Sequence, residues 1–80
     1  MEEREIREKV VKVVKDKLGV EEEKIVESAE YVKDLGADSL AIVDMAMALE
    51  DEFGIKIPDE DINKITTIGA TISYIKEHVG

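Results

Sequence analysis

Cysteine is absent from this chain of 80 residues, and so is tryptophan. Without thiols the chain has neither a disulfide framework nor a thiolate metal site to stabilise a small fold. With one phenylalanine and two tyrosines, its core must be built mainly from aliphatic side chains. No apolar run in these residues is long enough for a membrane span, and we expect no leader of basic and apolar residues. We therefore expect one soluble, cytoplasmic domain over residues 1–80.

Basic residues are few relative to acidic ones, and the net charge of -9 is unevenly distributed along the chain. Residues 30–61 contain ten acids but only Lys33 and Lys56 as bases, whereas the flanking segments are nearly neutral. A concentrated acidic field repels nucleic acid and anionic lipid and attracts basic protein surfaces. The charge therefore argues against nucleic-acid binding and membrane insertion. The alternative is that the charge only keeps a small domain soluble.

Helical periodicity predicts an all-α fold, a small antiparallel four-helix bundle of three main helices and one short helix. The predicted helices cover residues 3–18, 39–53, about 58–65 and the segment after the hydroxyl caps at 66–67. Gly19 and Gly54 are expected to end the first and second helices. Residues 20–37 lack sustained periodicity and form a long loop, which indicates a functional segment or an unrecognised short helix.

Apolar spacing also predicts which residues form the core. The predicted core residues are Ile6, Val10, Val13, Val14 and Leu18 in the first helix, Leu40, Val43, Ala46, Leu49 and Phe53 in the second, Ile68, Ile72, Ile75 and Val79 in the fourth, and Ile25, Tyr31, Val32 and Leu35 in the loop. Another sector of the second helix is expected to face solvent, with Asp44, Met47, Glu50 and Asp51.

The segment from Gly36 to Leu40 is the most informative part of the chain. Gly36 allows the backbone to turn, and Asp38 is a strong candidate for the N-cap of the second helix. Ser39 then falls in the first helical turn, where its hydroxyl is ordered yet exposed. Nothing nearby in sequence is suited to activate that hydroxyl, and His78, the only histidine, is better explained as a cation near a helix C-terminus. The pattern predicts a serine that other enzymes modify.

A calcium loop is the one metal motif that the sequence partly matches. Asp59, Asp61 and Asn63 occupy its first three ligand positions. Lys64 stands where the loop needs glycine, and Ala70 where it needs a bidentate glutamate. We expect no dedicated metal site, although loose cation binding by the acidic cluster is an alternative.

Five segments of the chain match a known family of small acidic helical proteins. They are residues 18–20, 34–40, 48–53, 57–60 and 64–67, and the longest reads Asp-Leu-Gly-Ala-Asp-Ser-Leu. In these segments the sequence resembles the acyl carrier proteins of fatty acid synthesis. The resemblance implies that Ser39, with Asp38 beside it, carries a 4′-phosphopantetheine arm attached from coenzyme A by a phosphopantetheinyl transferase. The thiol of that arm would hold an acyl chain as a thioester, so the protein is expected to be a non-catalytic carrier.

The resemblance also implies a partner-binding surface. The positions of the family's docking residues are occupied here by Asp38, Asp44, Met47, Glu50, Asp51 and Asp59. The expected partners are the transferase and fatty acid synthesis enzymes with basic docking patches, which would bind this protein as a monomer. The acyl chain is expected to fold back between the second helix and a set of core side chains. That set is Val13, Ile57, Ile65, Ile72 and Ile75.

Two positions depart from the fatty-acid type. Ala41 stands where an acid is common and removes one charge near the arm, while Ala46 replaces a larger aliphatic and predicts a wider acyl cavity or looser packing. A carrier for a polyketide, aminoacyl or D-alanyl group is one alternative, although peptidyl carriers tend to have glycine just before the serine. The other alternative is an acidic interaction module that carries no cargo.

Overall fold

The computed structural model describes residues 2–79, which form three α-helices and two short 3₁₀ helices. The α-helices are α1 (Glu3–Leu18), α2 (Ser39–Phe53) and α3 (Ile68–His78), and the 3₁₀ helices are Glu22–Lys24 and Asp59–Lys64. Residues 2–79 contain no β-strand, only a single antiparallel bridge between Glu30 and Thr67. The predicted all-α bundle with a long loop after the first helix is confirmed.

The ends of the predicted helices agree with the structure because the local signals act as expected. Gly19 and Gly54 adopt left-handed backbone at φ 64 and 65, and each amide donates to a carbonyl in the last turn of the preceding helix. The Thr67 hydroxyl accepts from the Ala70 amide at 3.0 Å and caps α3. The short third helix is present as a 3₁₀ helix. The long loop contains one further 3₁₀ helix, Glu22–Lys24, which confirms the alternative that this segment includes an unrecognised short helix.

The core lies where α1 packs against both α2 and α3. Its helical members are Ile6, Val10, Val13 and Val14 from α1, Met45, Ala46 and Leu49 from α2, and Ile68, Thr71, Ile72, Tyr74 and Ile75 from α3. The prediction that Leu40 and Val43 are buried is wrong, since they are 70% and 40% exposed. Apolar residues occur on several sides of α2, and α1 covers the side that contains Met45 and Leu49.

The second half of the long loop is fixed against the start of α3. The Tyr31 amide donates to the Thr66 carbonyl at 3.1 Å, and the Gly69 amide donates to the Glu27 carbonyl at 2.9 Å. A Cβ atom at Gly69 would lie 3.1 Å from that Glu27 oxygen, so the close approach favours glycine. The loop residues Ile25, Tyr31 and Leu35 are buried as predicted. Val32 is 63% exposed, contrary to the prediction, because the backbone turns after Tyr31 and directs the next side chain outward.

A hydrogen bond between side chains joins the 3₁₀ helix Asp59–Lys64 to α3. The Tyr74 hydroxyl donates to Asp61 Oδ2 at 2.6 Å, and Lys64 Nζ lies 3.3 Å from Asp61 Oδ1. The bond from Tyr74 lowers the pKa of Asp61 below its ordinary value, partial burial opposes that shift, and Lys64 adds to it. Because the pKa of Asp61 is lower in the folded than in the unfolded protein, its carboxylate stabilises the fold at pH values above the unfolded pKa. This stabilisation of the fold is lost as the pH falls through the folded pKa of Asp61.

Tyr74→Phe is expected to raise the pKa of Asp61 towards 3.8, the value of an unperturbed aspartate, because it removes the largest cause of the shift. A carbon-detected NMR titration of the Asp61 carboxyl group measures this directly. Lys64→Gln is the matched comparison and should produce a smaller rise. An Asp61 pKa that is unchanged by Tyr74→Phe would contradict this account.

Candidate functional site

Ser39 is the first residue of α2, and its side chain is exposed. Asp38 precedes it with extended backbone, and Asp38 Oδ1 accepts the Ala41 amide at 2.8 Å. The Asp38 carbonyl also accepts the Ile42 amide at 3.1 Å. The predicted N-cap is therefore confirmed, and it fixes the first turn of α2 so that the Ser39 hydroxyl is presented from ordered backbone.

The loop before Ser39 is held by its own hydrogen bonds. Asp34 Oδ2 accepts the Glu30 amide at 2.8 Å, and the Ala37 amide donates to the Tyr31 carbonyl at 2.8 Å. Gly36 makes the turn with a φ of 68°, a left-handed backbone conformation that is unfavourable for residues with a Cβ atom. These contacts, together with the burial of Ala37, fix the loop immediately before the start of α2.

His78 is placed as expected for a helix C-terminus. Its Nδ1 atom lies 2.8 Å from the Tyr74 carbonyl oxygen, and its ring stacks on the Tyr74 ring with centroids 4.0 Å apart. It is therefore engaged at the last turn of α3 instead of being paired with a serine. Across residues 2–79, no three histidine, aspartate or glutamate side chains are grouped closely enough to hold a metal ion. In the same part of the chain, none of the helices has the length and apolar character that a membrane crossing needs.

A cavity of about 640 Å³ lies beside Ser39. It is lined by Glu30, Tyr31, Val32, Lys33, Ser39, Ile42, Ile62, Asn63, Ile65 and Thr66. The loop, the first turn of α2 and the 3₁₀ helix Asp59–Lys64 thus form its walls. Of the five core residues predicted to surround an acyl chain, Ile65 lines this cavity. Val13, Ile57, Ile72, Ile75 and the small Ala46 lie outside its lining and are buried in the core.

Two buried hydroxyl groups join the wall of this cavity to α3. The Tyr31 hydroxyl lies 2.5 Å from Thr71 Oγ1, and the Thr71 hydroxyl donates to the Thr67 carbonyl at 2.8 Å. Since the single Thr71 proton is used by Thr67, Tyr31 is the donor to Thr71. Burial raises the pKa of Tyr31 to about 12, and the hydrogen bond with Thr71 opposes part of that rise. Tyr31 is thus neutral at physiological pH and keeps the proton that it donates.

The outer face of α2 contains an apolar stripe with acids beside it. Leu40, Val43 and Met47 are 70%, 40% and 58% exposed and recur at i, i+3 and i+7, so they share one side of the helix. Asp44 and Asp51 are exposed along its edge. We define these five residues as the outer α2 surface. Met47 was predicted to be exposed there, whereas Leu40 and Val43 were missed although their spacing from Met47 was visible in the sequence.

The other predicted partner-binding acids differ in position. Asp59 is exposed at the start of its 3₁₀ helix, as expected. Glu50 does not share the exposed sector of α2, because it is half-buried and its Oε2 accepts the Ile57 amide at 2.7 Å. The prediction that Glu50 is exposed beside Asp44 and Asp51 is wrong. Its carboxylate instead satisfies a backbone donor after the helix, a contact that spacing along α2 does not reveal.

Comparisons with known proteins agree on one family. A family model described as a phosphopantetheine attachment site matches residues 8–75, which include all of α2 and every residue that lines the cavity. The chain is 51% identical over 71 residues to the acyl carrier protein of Zymomonas mobilis subsp. mobilis, covering 89% of this chain and 91% of that protein. The solved structure of the acyl carrier protein from Enterococcus faecalis, 36% identical, matches with a TM-score of 0.81 over 96% of this chain and 98% of that chain.

Proposed function

This chain belongs to the acyl carrier proteins of the phosphopantetheine-attachment family, and we propose that it carries acyl chains between the enzymes of fatty acid biosynthesis in the cytoplasm. Ser39 is the proposed attachment residue for its 4′-phosphopantetheine. The observation that carries this assignment is the exposed Ser39 hydroxyl on fixed backbone beside a cavity of about 640 Å³.

The residues around Ser39 fit the prosthetic group. When bound, the group supplies the thiol that holds the acyl chain as a thioester, a sulfur that the cysteine-free chain itself lacks. A phosphodiester at Ser39 would be stabilised by the positive end of the α2 dipole. Asp38 also acts there by fixing the first turn through the Ala41 amide. We infer no catalytic role for the chain, and the transferase is expected to provide the base that deprotonates Ser39.

The outer α2 surface is the proposed docking site for partner enzymes, with Asp59 as an additional acid. Exposed Leu40 and Met47 offer apolar contact, while Asp44 and Asp51 offer charge to a basic patch. The surface lies on the same helix as Ser39, so an enzyme bound there is near the arm. Glu50 is left out of this proposal, since its carboxylate is engaged with the Ile57 amide.

Intact mass after incubation with a phosphopantetheinyl transferase and coenzyme A tests the carrier assignment. We expect a gain of one phosphopantetheine unit on Ser39. Purified fatty acid synthesis enzymes should then transfer acyl chains to the loaded protein and elongate the chains that it carries. Loading without elongation would leave a carrier for a polyketide, aminoacyl or D-alanyl group, and no mass gain would leave an interaction module.

Acylation is expected to raise the melting temperature, and longer chains are expected to raise it further within the range that the cavity admits. Each buried methylene contributes about 0.8 kcal/mol, and a ligand bound only to the folded state stabilises that state. Differential scanning calorimetry of the acylated protein measures the shift, with the unacylated, phosphopantetheine-loaded protein as control. Equal melting temperatures for the two forms would mean that the chain stays in solvent.

A further inference from the structure

The side chains that line the cavity range from exposed to fully buried, and we call the part formed by Ile65 and Tyr31 its inner end. Ser39 and Val32 are exposed, and Ile62 is half-buried. Ile65 and Tyr31 are only 1% and 0% exposed. An alkyl chain that enters beside the exposed Ser39 therefore meets Tyr31 and Ile65 at the inner end.

Tyr31 is fixed at this inner end by both its backbone and its side chain. Its amide donates to the Thr66 carbonyl at 3.1 Å, and its carbonyl accepts the Ala37 amide at 2.8 Å. Its hydroxyl donates to Thr71, whose own hydroxyl donates to the Thr67 carbonyl. The ring thus extends from the loop to α3 and separates the cavity from the fully buried Thr71.

We propose that Tyr31, held in place by Thr71, limits the length of acyl chain that the cavity admits. This inference rests on the proposed carrier function and assigns a specificity-determining residue to it. A chain short enough to end before the Tyr31 ring is buried without disturbing the protein. A longer chain must displace the ring, which breaks the hydrogen bond to Thr71 and leaves the Tyr31 hydroxyl without an acceptor in an apolar environment.

Tyr31→Phe separates the ring from its tether, because it keeps the aromatic wall and removes only the hydroxyl. Thr71 remains satisfied in this variant, since its hydroxyl still donates to the Thr67 carbonyl. The phenylalanine ring is then free to move aside without breaking a hydrogen bond. Longer chains are therefore expected to enter the variant more readily than the wild-type protein.

The experiment loads wild-type and Tyr31→Phe protein with phosphopantetheine and then with saturated acyl chains of increasing length. In the wild-type protein, the rise in melting temperature on acylation should level off beyond one chain length. In Tyr31→Phe the rise should continue past that length. For the longest chains, thioester cleavage by hydroxylamine should be roughly fivefold slower in the variant than in wild type, the factor that corresponds to one buried hydrogen bond.

Two further variants distinguish this role from general loosening of the fold. Tyr74→Phe removes a tyrosine hydroxyl that donates a hydrogen bond to Asp61, and neither residue lines the cavity. The rise in its melting temperature on acylation should level off at the same chain length as in wild type. Thr71→Ser keeps the acceptor oxygen and should also behave like wild type. The inference is overturned if the rise in melting temperature of acylated Tyr31→Phe levels off at the same chain length as in wild type. It is also overturned if this rise continues to equally long chains in Tyr74→Phe. A wild-type protein that gains no phosphopantetheine mass would instead overturn the carrier function and this inference with it.

Discussion

Ser39→Ala is expected to abolish the gain of phosphopantetheine mass and, with it, all acyl loading. The hydroxyl oxygen is the proposed bonding atom, and alanine offers no replacement. The fold should survive, because the side chain is exposed and Ser39 is not the residue that caps α2. Alanine also has the higher helix propensity, so the free energy of unfolding should stay within about 0.5 kcal/mol of wild type. Intact mass spectrometry and urea unfolding measure the two effects.

Ser73→Ala is the matched control for this substitution. Ser73 is also an exposed serine in a helix, but it lies in α3 away from the cavity lining. This variant should load phosphopantetheine to the wild-type extent. Mass gain in Ser39→Ala would show that another residue carries the arm, and loss of loading in both variants would point to misfolding instead of a missing nucleophile.

The helix boundaries were predictable because the signals that set them are local. Gly19 and Gly54 end helices through their own backbone conformation, and Asp38 and Thr67 cap helices through amides three residues away. Each of these interactions is complete within a few residues. The position of Ser39 at the start of α2 follows from the same local contacts, and it was predictable for that reason.

The parts of the site that were not predictable depend on contacts between distant segments. Periodicity alone did not identify the buried side of α2, because Val43 and Met45 both belong to apolar patterns and only packing against α1 distinguishes them. The carboxylate of Glu50 accepts a hydrogen bond from the amide of Ile57, seven residues away, and this contact holds Glu50 in a half-buried position. Tyr31 and Thr71 are forty residues apart, so their hydrogen bond arises only when the loop packs on α3.

Packing thereby gives the two sides of α2 different roles in the proposed function. One side, with Met45 and Leu49, is fully buried and stabilises the bundle. On the opposite side, Leu40 and Met47 are exposed to solvent, so their apolar surface does not contribute to the stability of the isolated protein. Exposed apolar side chains that recur on one side of a helix indicate a contact surface more strongly than single exposed residues do. A partner enzyme is the proposed occupant of that surface.

Reversing both Asp44 and Asp51 to lysine is expected to lower kcat/KM for the transferase and for synthase partners by roughly tenfold or more at low salt. Both carboxylates are exposed beside the apolar stripe, so the change places repulsive charge against a basic docking patch. Charges at the rim of an interface act mainly on the association rate, and salt screens them. The difference from wild type should therefore appear chiefly in KM and shrink as ionic strength rises. Because Ala41 supplies no charge, Asp38 and Asp44 should matter more here than in relatives with an acid at that position.

Glu21→Lys with Glu23→Lys is the control that separates local docking from overall charge. This pair changes the net charge by the same amount at exposed positions in and beside the 3₁₀ helix Glu22–Lys24, away from the outer α2 surface. It should reduce kcat/KM far less than the α2 pair. Met47→Ala should lower kcat/KM while keeping the wild-type salt dependence, since it removes apolar contact and leaves the charges intact. If the α2 reversal behaves like wild type and the response to salt is flat, the acids on α2 serve solubility and partners dock elsewhere.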